Sequence, residues 1–483
     1  MNKSLKTNAV INGVRTLLGL IFPLITYPYI CRVLGVDNIG KVNFTNSIVN
    51  YFVLVAGLGI STYAIREGSR YKGNLIKFEA FINQVFTINI LSTIIAYVLL
   101  FAVIVLFPAF EEYTSLILIQ SLMIFGNTIG ITWLYTIFED YFYITIRTLA
   151  VQLISIIGMF IFVKTKQDIL IYVSIAVFSN VGANIWAFLH SYRYTHLMLT
   201  RDIKFNLHTK PICILFASSI ATTIYVNSNA TMLGIFCGDY STGLYGIASK
   251  VYSIVKSVVG ALLAVTLPRL SSYVANNDDI KYKATLAKIL NALSLILVPA
   301  TIGLIIMSKK IIYILGGAEY TEATTTLQIL AFALFFSMLA TYLTHGILLP
   351  FKKEREVMVA TILSAIANIL LNFILLPAMA QEGAALTILA AEILIFIIQA
   401  VLSAKLCRIH LDWKHWIQVS IGSAVMGMVC ILMNKSVTDM SLLSTLGIII
   451  LSAMLYAVIM LIAKNKTTLS FIKPIFNRIF KRW

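Results

Sequence analysis

The chain has 483 residues, 59% of them hydrophobic and 12% charged, with a formal charge of +17. Ordinary soluble domains carry roughly 25% charged residues, so a soluble globular protein is excluded. The apolar stretches are long and do not alternate, which excludes a membrane β-barrel and leaves an all-α polytopic membrane protein.

An apolar run of about 20 residues spans the hydrocarbon layer. Fourteen such runs follow one another, at 9–30, 42–65, 79–107, 114–137, 145–163, 169–189, 212–236, 244–267, 287–307, 326–349, 357–376, 383–404, 415–433 and 444–463. With the N-terminus inside, the inner segments carry 27 of the 37 Lys and Arg, the outer segments seven, and Arg15, Lys250 and Lys256 lie within spans. Basic residues stay on the cytoplasmic side, so this split predicts fourteen crossings with both termini cytoplasmic. The same split makes the +17 a mark of topology. No nucleic-acid module pattern accompanies it, and no nucleic-acid partner is expected. Lys3 and Lys6 precede a run too long for a signal peptide, with no small-residue cleavage site after it, so the run is expected to be retained.

Span 1 carries Arg15, expensive in hydrocarbon unless it faces a cavity or a partner. Asn8, Asn12, Arg15 and Gly19 fall on one helical face, and Asn43, Asn46 and Asn50 form a second polar stripe on span 2. Two readings stand. Either the stripes line a hydrated cavity with Arg15 offered to an anion, or the amides join helices while Arg15 snorkels. Pro23 and Pro28 interrupt backbone bonding in the outer half of span 1, which suits a gating helix or a static kink. Arg32 to Gly35 and Gly40-Lys41 form the polar hinge to span 2.

The hairpin has an echo. Leu34-Gly35 and Gly40 near spans 1 and 2 match Leu233-Gly234 and Gly243 near spans 7 and 8, at offsets of 199 and 203 residues. Six spans separate the two, so the orientation is preserved and a parallel repeat of two six-helix bundles is expected, a known transporter plan. The expected organisation is a first bundle with its linker at 1–210, a second at 211–410, and spans 13 and 14 with a basic tail at 411–483.

The second half adds its own polar groups. Span 7 has Thr222, Thr223, Asn227 and Asn229; span 8 has Lys250 and Lys256. The two lysines are six residues apart, so their faces differ by roughly 120°. Lys256 is nearer mid-membrane. A cationic interior drawn from both halves favours an anionic guest such as a phosphate. Asn368 and Asn372 are one turn apart in span 11, and Glu392 is the one acid deep in a span. Glu392 either titrates and couples transport to ions or pairs with a basic neighbour. A local ion pair is expected among Glu139, Asp140 and Arg147, and Pro268, Pro299 and Pro350 read as terminators near span ends. The six histidines read as mostly loop residues.

Motifs for chemistry are absent. There is no glycine-rich phosphate loop with its lysine, no HExxH, no serine nucleophile elbow and no CxxC among five scattered cysteines. No enzyme activity, metal site or disulfide framework is expected. No cofactor is expected either, with a proton or sodium gradient as the candidate source of coupling.

The residues Phe22-Pro23-Leu24-Ile25-Thr26-Tyr27-Pro28-Tyr29-Ile30-Cys31-Arg32-Val33-Leu34-Gly35, then Gly40-Lys41-Val42-Asn43-Phe44 and Gly57-Leu58-Gly59-Ile60-Ser61-Thr62-Tyr63-Ala64-Ile65-Arg66-Glu67, resemble the amino-terminal signature of the O-antigen and capsular polysaccharide flippases. Those belong to the multidrug/oligosaccharidyl-lipid/polysaccharide exporter superfamily. Pro268-Arg269-Leu270 and Leu315-Gly316-Gly317 are similar to the family's arrangement further on. The resemblance implies two six-helix bundles in a V around a central cavity plus two peripheral helices. It implies movement of undecaprenyl-diphosphate-linked oligosaccharide repeat units between leaflets of the bacterial inner membrane, alongside a polysaccharide polymerase and chain-length machinery. It places Arg15, Lys250 and Lys256 where the family's cavity cations meet the diphosphate or acidic sugars. Alternatives are a multidrug cation exporter of the same fold, which would want acids in the cavity, and a membrane polysaccharide polymerase, which usually needs a sizeable outer loop.

Overall fold

The computed structural model describes residues 5–407, 411–437 and 439–470, with the side chains of all of these except 5–18, 20, 21, 218 and 262. Among the described residues the chain is predominantly helical and contains no strand. Eleven helices among them are long and apolar enough to cross a membrane. They are built on α1 (Leu5–Gly57), α3 (Leu75–Leu106), α4 (Thr114–Ile129, within a span Pro108–Ile137), α6 (Tyr141–Phe162), α7 (Ile169–His190), α8 (Phe205–Ala264), α10 (Asp279–Gly316), α11 (Ala323–Leu343), α12 (Glu354–Ala404), α13 (Trp413–Ser436) and α14 (Leu442–Ile462). The short helices α2 (Ile60–Tyr71), α5 (Thr132–Ile137) and α9 (Leu267–Ala275) lie between them.

Three of the long helices hold 53, 60 and 51 residues. At 1.5 Å per residue each would run well past twice the roughly 30 Å hydrocarbon thickness. Each therefore contains a break. Gly35 interrupts α1 at φ 79°, ψ 176°, Gly238 interrupts α8 at φ 79°, ψ −175°, and Ala380 interrupts α12 at φ 45°, ψ −122°. The first two conformations are essentially restricted to glycine. α1 continues as helix through Pro23 and Pro28, and its break comes at Gly35. Pro268 sits in the first turn of α9, where its missing N–H costs nothing. Pro299, expected to terminate a helix, lies in the interior of α10.

Helix starts are set by local chemistry. Asn74, Asp140, Asp278, Asp412 and Ser441 each accept a hydrogen bond from a first-turn backbone N–H, for α3, α6, α10, α13 and α14. At the other end of α13, the buried Lys310 donates to the Val437 carbonyl at 2.6 Å, a cation where the helix dipole is negative.

The chain divides into two compact units, 1–243 and 244–483, with the division inside α8. In the first unit, Val49, Ala96, Leu100, Ile117 and Ile124 pack α1, α3 and α4 together. A second core of Tyr63, Phe78, Phe81, Trp133, Tyr135 and Ile212 joins α2, α3, α5 and the start of α8. In the second unit, α11 packs along α12 and α10, and α13 packs against α10 and α14. Large apolar side chains also point outward, such as Ile94, Val98 and Val105 on α3 and Ile450, Met454 and Ile462 on α14. In water such a surface would drive aggregation; in a bilayer it is the solvent-matched face.

Candidate functional site

Lys256 and Glu392 meet in the second unit, so the basic neighbour that the sequence offers Glu392 as one alternative is Lys256. The Lys256 ammonium lies 2.7 Å from Glu392 Oε1 and donates to the Tyr252 hydroxyl at 3.2 Å. Tyr252 donates to the same carboxylate oxygen at 2.9 Å, and its ring stands 5.3 Å from the ammonium. Tyr252 and Lys256 are one turn apart on α8, so a single helix face presents both to α12. The Glu392 side chain is 4% exposed and that of Lys256 34%. A buried charge needs a partner, and Glu392 has two donors. Lys250 is half-buried on α8 six residues earlier.

On α12 a second polar set bridges the limbs either side of the Ala380 break. Thr387 donates to Asn372 Oδ1 at 2.8 Å, and Asn372 donates to Asn368 Oδ1 at 3.3 Å, all three buried. Further along, Thr344 donates to the buried Gln399 at 2.9 Å. Amides in a membrane interior act as helix–helix ties when paired in this way.

In the first unit, the polar stripe of span 2 meets span 7. Asn50 donates to Asn227 Oδ1 at 3.2 Å, and Asn227 donates to the Thr223 carbonyl at 2.9 Å. Ser47 and Thr231 share a hydrogen bond of 2.8 Å, and Thr231 reaches the Tyr51 hydroxyl at 3.3 Å. Asn46 is half-buried beside them in sequence. Above this row the backbones touch. A Cβ on Gly40 would fall 1.8 Å from the Asp239 carbonyl oxygen, and one on Gly243 would fall 2.2 Å from that of Val36. Only glycine allows that approach. The contact is reciprocal: Gly40 with Asp239 and Val36 with Gly243, each pair of counterparts being 203 residues apart. Gly35 and Gly238 stand at the same offset. The structural equivalent of Gly35 is therefore Gly238, and the Leu233-Gly234 match is displaced; Gly234 instead makes room for the Phe44 ring. Tyr113 donates to both oxygens of Asp239 at 3.1 and 3.0 Å, and Lys41 pairs with Glu112 alongside.

Arg15 and Asn12 lie in the first part of α1, where their side chains fall outside the described residues. Gly19, on the same predicted face, is exposed, with nothing within 4 Å of where a Cβ would stand. Pro23 and Pro28 are half-buried.

Other groups differ from expectation. His208 and His415 are buried in first helical turns instead of standing in loops. His208 lies 2.7 Å from both Gln84 Oε1 and the Tyr63 hydroxyl. A carboxamide oxygen only accepts, so Nε2–H donates to Gln84, and with Tyr63 on Nδ1 the imidazole ties α2, α3 and α8. His415 bonds Ser294 at 2.9 Å and Asn465 at 3.0 Å. Arg147 is buried over the rings of Tyr135 and Tyr143, 5.3 and 5.9 Å away, and donates to Thr132. Asp140 instead caps α6 and accepts from Tyr194 at 2.7 Å. Tyr252, Asp239 and His208 owe their settings to contacts distant in sequence, and the local hints are spacings of four, between Tyr252 and Lys256 and between Tyr143 and Arg147.

The model of the family described as "Polysaccharide biosynthesis protein" matches residues 5–274, and that of "Lipid II flippase MurJ" matches 240–452. A "Putative O-antigen transporter" of Escherichia coli (strain K12) is 25% identical over 398 residues, covering 81% of this chain and 95% of that protein. A "Probable low-salt glycan biosynthesis flippase Agl15" of Haloferax volcanii is 26% identical over 187 residues, 39% of each chain. Among solved structures, "Lipid II flippase MurJ, inward closed conformation" aligns with a TM-score of 0.73 at 17% identity, over 98% of this chain and 99% of that one. An inward-facing multidrug resistance MATE family transporter of the MOP superfamily aligns with a TM-score of 0.59 at 13% identity, over 81% and 94%. These likenesses place the fold with the flippases and exporters, and the chain is a transporter, not an enzyme. With more than half its length under one family model, the chain belongs to the polysaccharide biosynthesis protein family, whose members include the lipid-linked polysaccharide flippases.

Proposed function

We propose that this protein flips undecaprenyl-diphosphate-linked oligosaccharide repeat units, of O-antigen or capsule type, from the inner to the outer leaflet of the bacterial cytoplasmic membrane by alternating access. The observation that carries this reading is the Lys256 side chain, whose ammonium is held by Glu392 and Tyr252 while the side chain as a whole is 34% exposed within a span. A diphosphate is a stronger magnet for that ammonium than a single carboxylate. Arg15 is the proposed cation on the first helix, with Lys250 as a further contact and Asn12, Asn46, Asn50 and Asn227 as polar lining.

The pair also suggests how ions enter. Protonation of Glu392 would release Lys256 to the diphosphate, and departure of the headgroup would return the pair and expel the proton. Glu392 is thus the proposed coupling residue for a proton gradient, or a sodium gradient if a cation takes the proton's place. Dividing α1, α8 and α12 at their breaks supports a reading of fourteen crossings, and the charge split supports cytoplasmic termini. On that topology the Gly40 and Gly243 contacts lie at the outer end. They must part for the headgroup to leave, with Pro23 and Pro28 giving α1 the freedom to bend. The lipid tail stays in the bilayer, where α10, α13 and α14 line an apolar crevice of about 530 Å³. A polysaccharide polymerase and its chain-length machinery are the proposed partners downstream.

A multidrug cation exporter is the second reading. It wants a free acid, and Glu392 already holds a lysine and a tyrosine. The test is a leaflet-translocation assay in reconstituted vesicles with lipid-diphosphate oligosaccharides. Acceleration is expected in the wild type and lost in Arg15→Ala with normal insertion. Export of organic cations without flipping of any such lipid would overturn the reading.

A further inference from the structure

The second unit holds a larger cavity that the transport reading does not use. It has a volume of about 930 Å³ and lies among α10, α11, α12 and α13. Its walls are apolar and rich in rings, among them Phe335, Phe336, Phe396, Tyr342, Trp413 and Trp416. A cavity of this kind takes a hydrocarbon chain readily.

Two further features point to what sits at its mouth. The Trp416 indole Nε1 is enclosed and has no hydrogen-bond partner among the described residues. An enclosed N–H without an acceptor is costly, so an acceptor supplied by a ligand would be held there. Three exposed lysines adjoin the walls in the chain: Lys405 follows the lining residue Ala404, Lys414 follows Trp413, and Lys288 is two residues from Leu290. Paired tryptophans with flanking lysines are the composition of a membrane–water boundary. Basic pockets between helices on the cytoplasmic side are where anionic headgroups bind.

We infer that this cavity is a resident site for an anionic phospholipid of the cytoplasmic leaflet. Its acyl chains fill the ring-lined space, an ester or phosphate oxygen accepts from Trp416 Nε1, and Lys288, Lys405 and Lys414 hold the charge. The occupant is a structural lipid distinct from the cargo. It braces α13 against α10, α11 and α12 from outside the Lys256–Glu392 site.

The experiment is thermal unfolding and native mass spectrometry of the full-length protein after delipidation, with phosphatidylglycerol or phosphatidylethanolamine added back. Phosphatidylglycerol is expected to raise Tm and to be retained in preference to phosphatidylethanolamine. That preference should fall by about fivefold for each lysine removed in Lys405→Gln and Lys414→Gln. Ala400→Trp, which fills the cavity, should abolish retention, and Trp416→Phe should weaken it while leaving the lysines in place. Equal retention of the two lipids would overturn the proposal, as would unchanged phosphatidylglycerol binding in the two lysine variants together. Retention of undecaprenyl diphosphate in place of phosphatidylglycerol would also overturn it, by assigning the cavity to cargo.

Discussion

Gly35 and Gly238 leave their helices with nearly the same backbone angles, 203 residues apart, and the residues around them touch reciprocally through Gly40 and Gly243. The side chains that follow do not repeat. Lys256 stands where the same offset puts Val53, and Lys250 where it puts Ser47. The two hairpins share a backbone and differ in chemistry. A close backbone contact tolerates no Cβ on either side, so both copies keep their glycines. A charge needs only one copy, provided that a partner such as Glu392 is built beside it. α12 offers a third break of another kind, at Ala380, which carries a side chain at φ 45°.

Four sets of substitutions would break or sharpen this comparison. The largest effect is expected at the contact itself. Gly40→Ala places a methyl group 1.8 Å from a backbone oxygen that cannot rotate away. It should cost about 3 kcal/mol, the upper end of overpacking, and Gly243→Ala should match it. Thermal unfolding of both variants checks this, and a loss in one without the other would end the claim of reciprocity.

Next comes the pair present in one copy. Lys256→Met leaves Glu392 buried without its cation, while Val53→Met at the matching position changes only volume. Discounting the full 3–5 kcal/mol of a buried pair for the open side of Lys256, the first should cost about 2 kcal/mol and the second under about 1. Adding Glu392→Gln to Lys256→Met should recover most of the stability without recovering transport. A double-mutant cycle reads this directly, and additive costs would mean that the two groups are not coupled.

A smaller effect is expected at Gly238, where a Cβ would meet nothing within 4 Å. Gly238→Ala therefore isolates backbone strain, about 1–2 kcal/mol by Tm. The smallest effect has the opposite sign. Ala380→Gly relieves a positive φ and should stabilise by up to about 1 kcal/mol, measured in the same way. A destabilised Ala380→Gly would show that the methyl group packs usefully at that break.

Much of the architecture was legible because hydrophobic run length is a one-dimensional property. The run at 79–107 became Leu75–Leu106, that at 169–189 became Ile169–His190, and that at 444–463 became Leu442–Ile462. A helix in lipid must satisfy its own backbone, so the length of an apolar run dictates the length of the element. The candidate site was legible in part. Lys256 and Glu392 stood out because charges in hydrocarbon are rare, but their pairing spans 136 positions, which spacing does not encode. The Asn50–Asn227 bond spans 177. The histidines misled for the same reason: His208 looks like a loop residue until Gln84 and Tyr63, far away in sequence, close around it.

The sequence by itself determined that this chain is helical, lies in a membrane and belongs with the polysaccharide flippases, because composition, run length and the motif at 22–67 are local properties of the chain. Only the tertiary structure decided that Glu392 neutralises Lys256 and that Gly238, five residues before Gly243, is the true counterpart of Gly35. Ion pairing and close backbone approach act across space, and which residues come within a few ångströms is settled by packing.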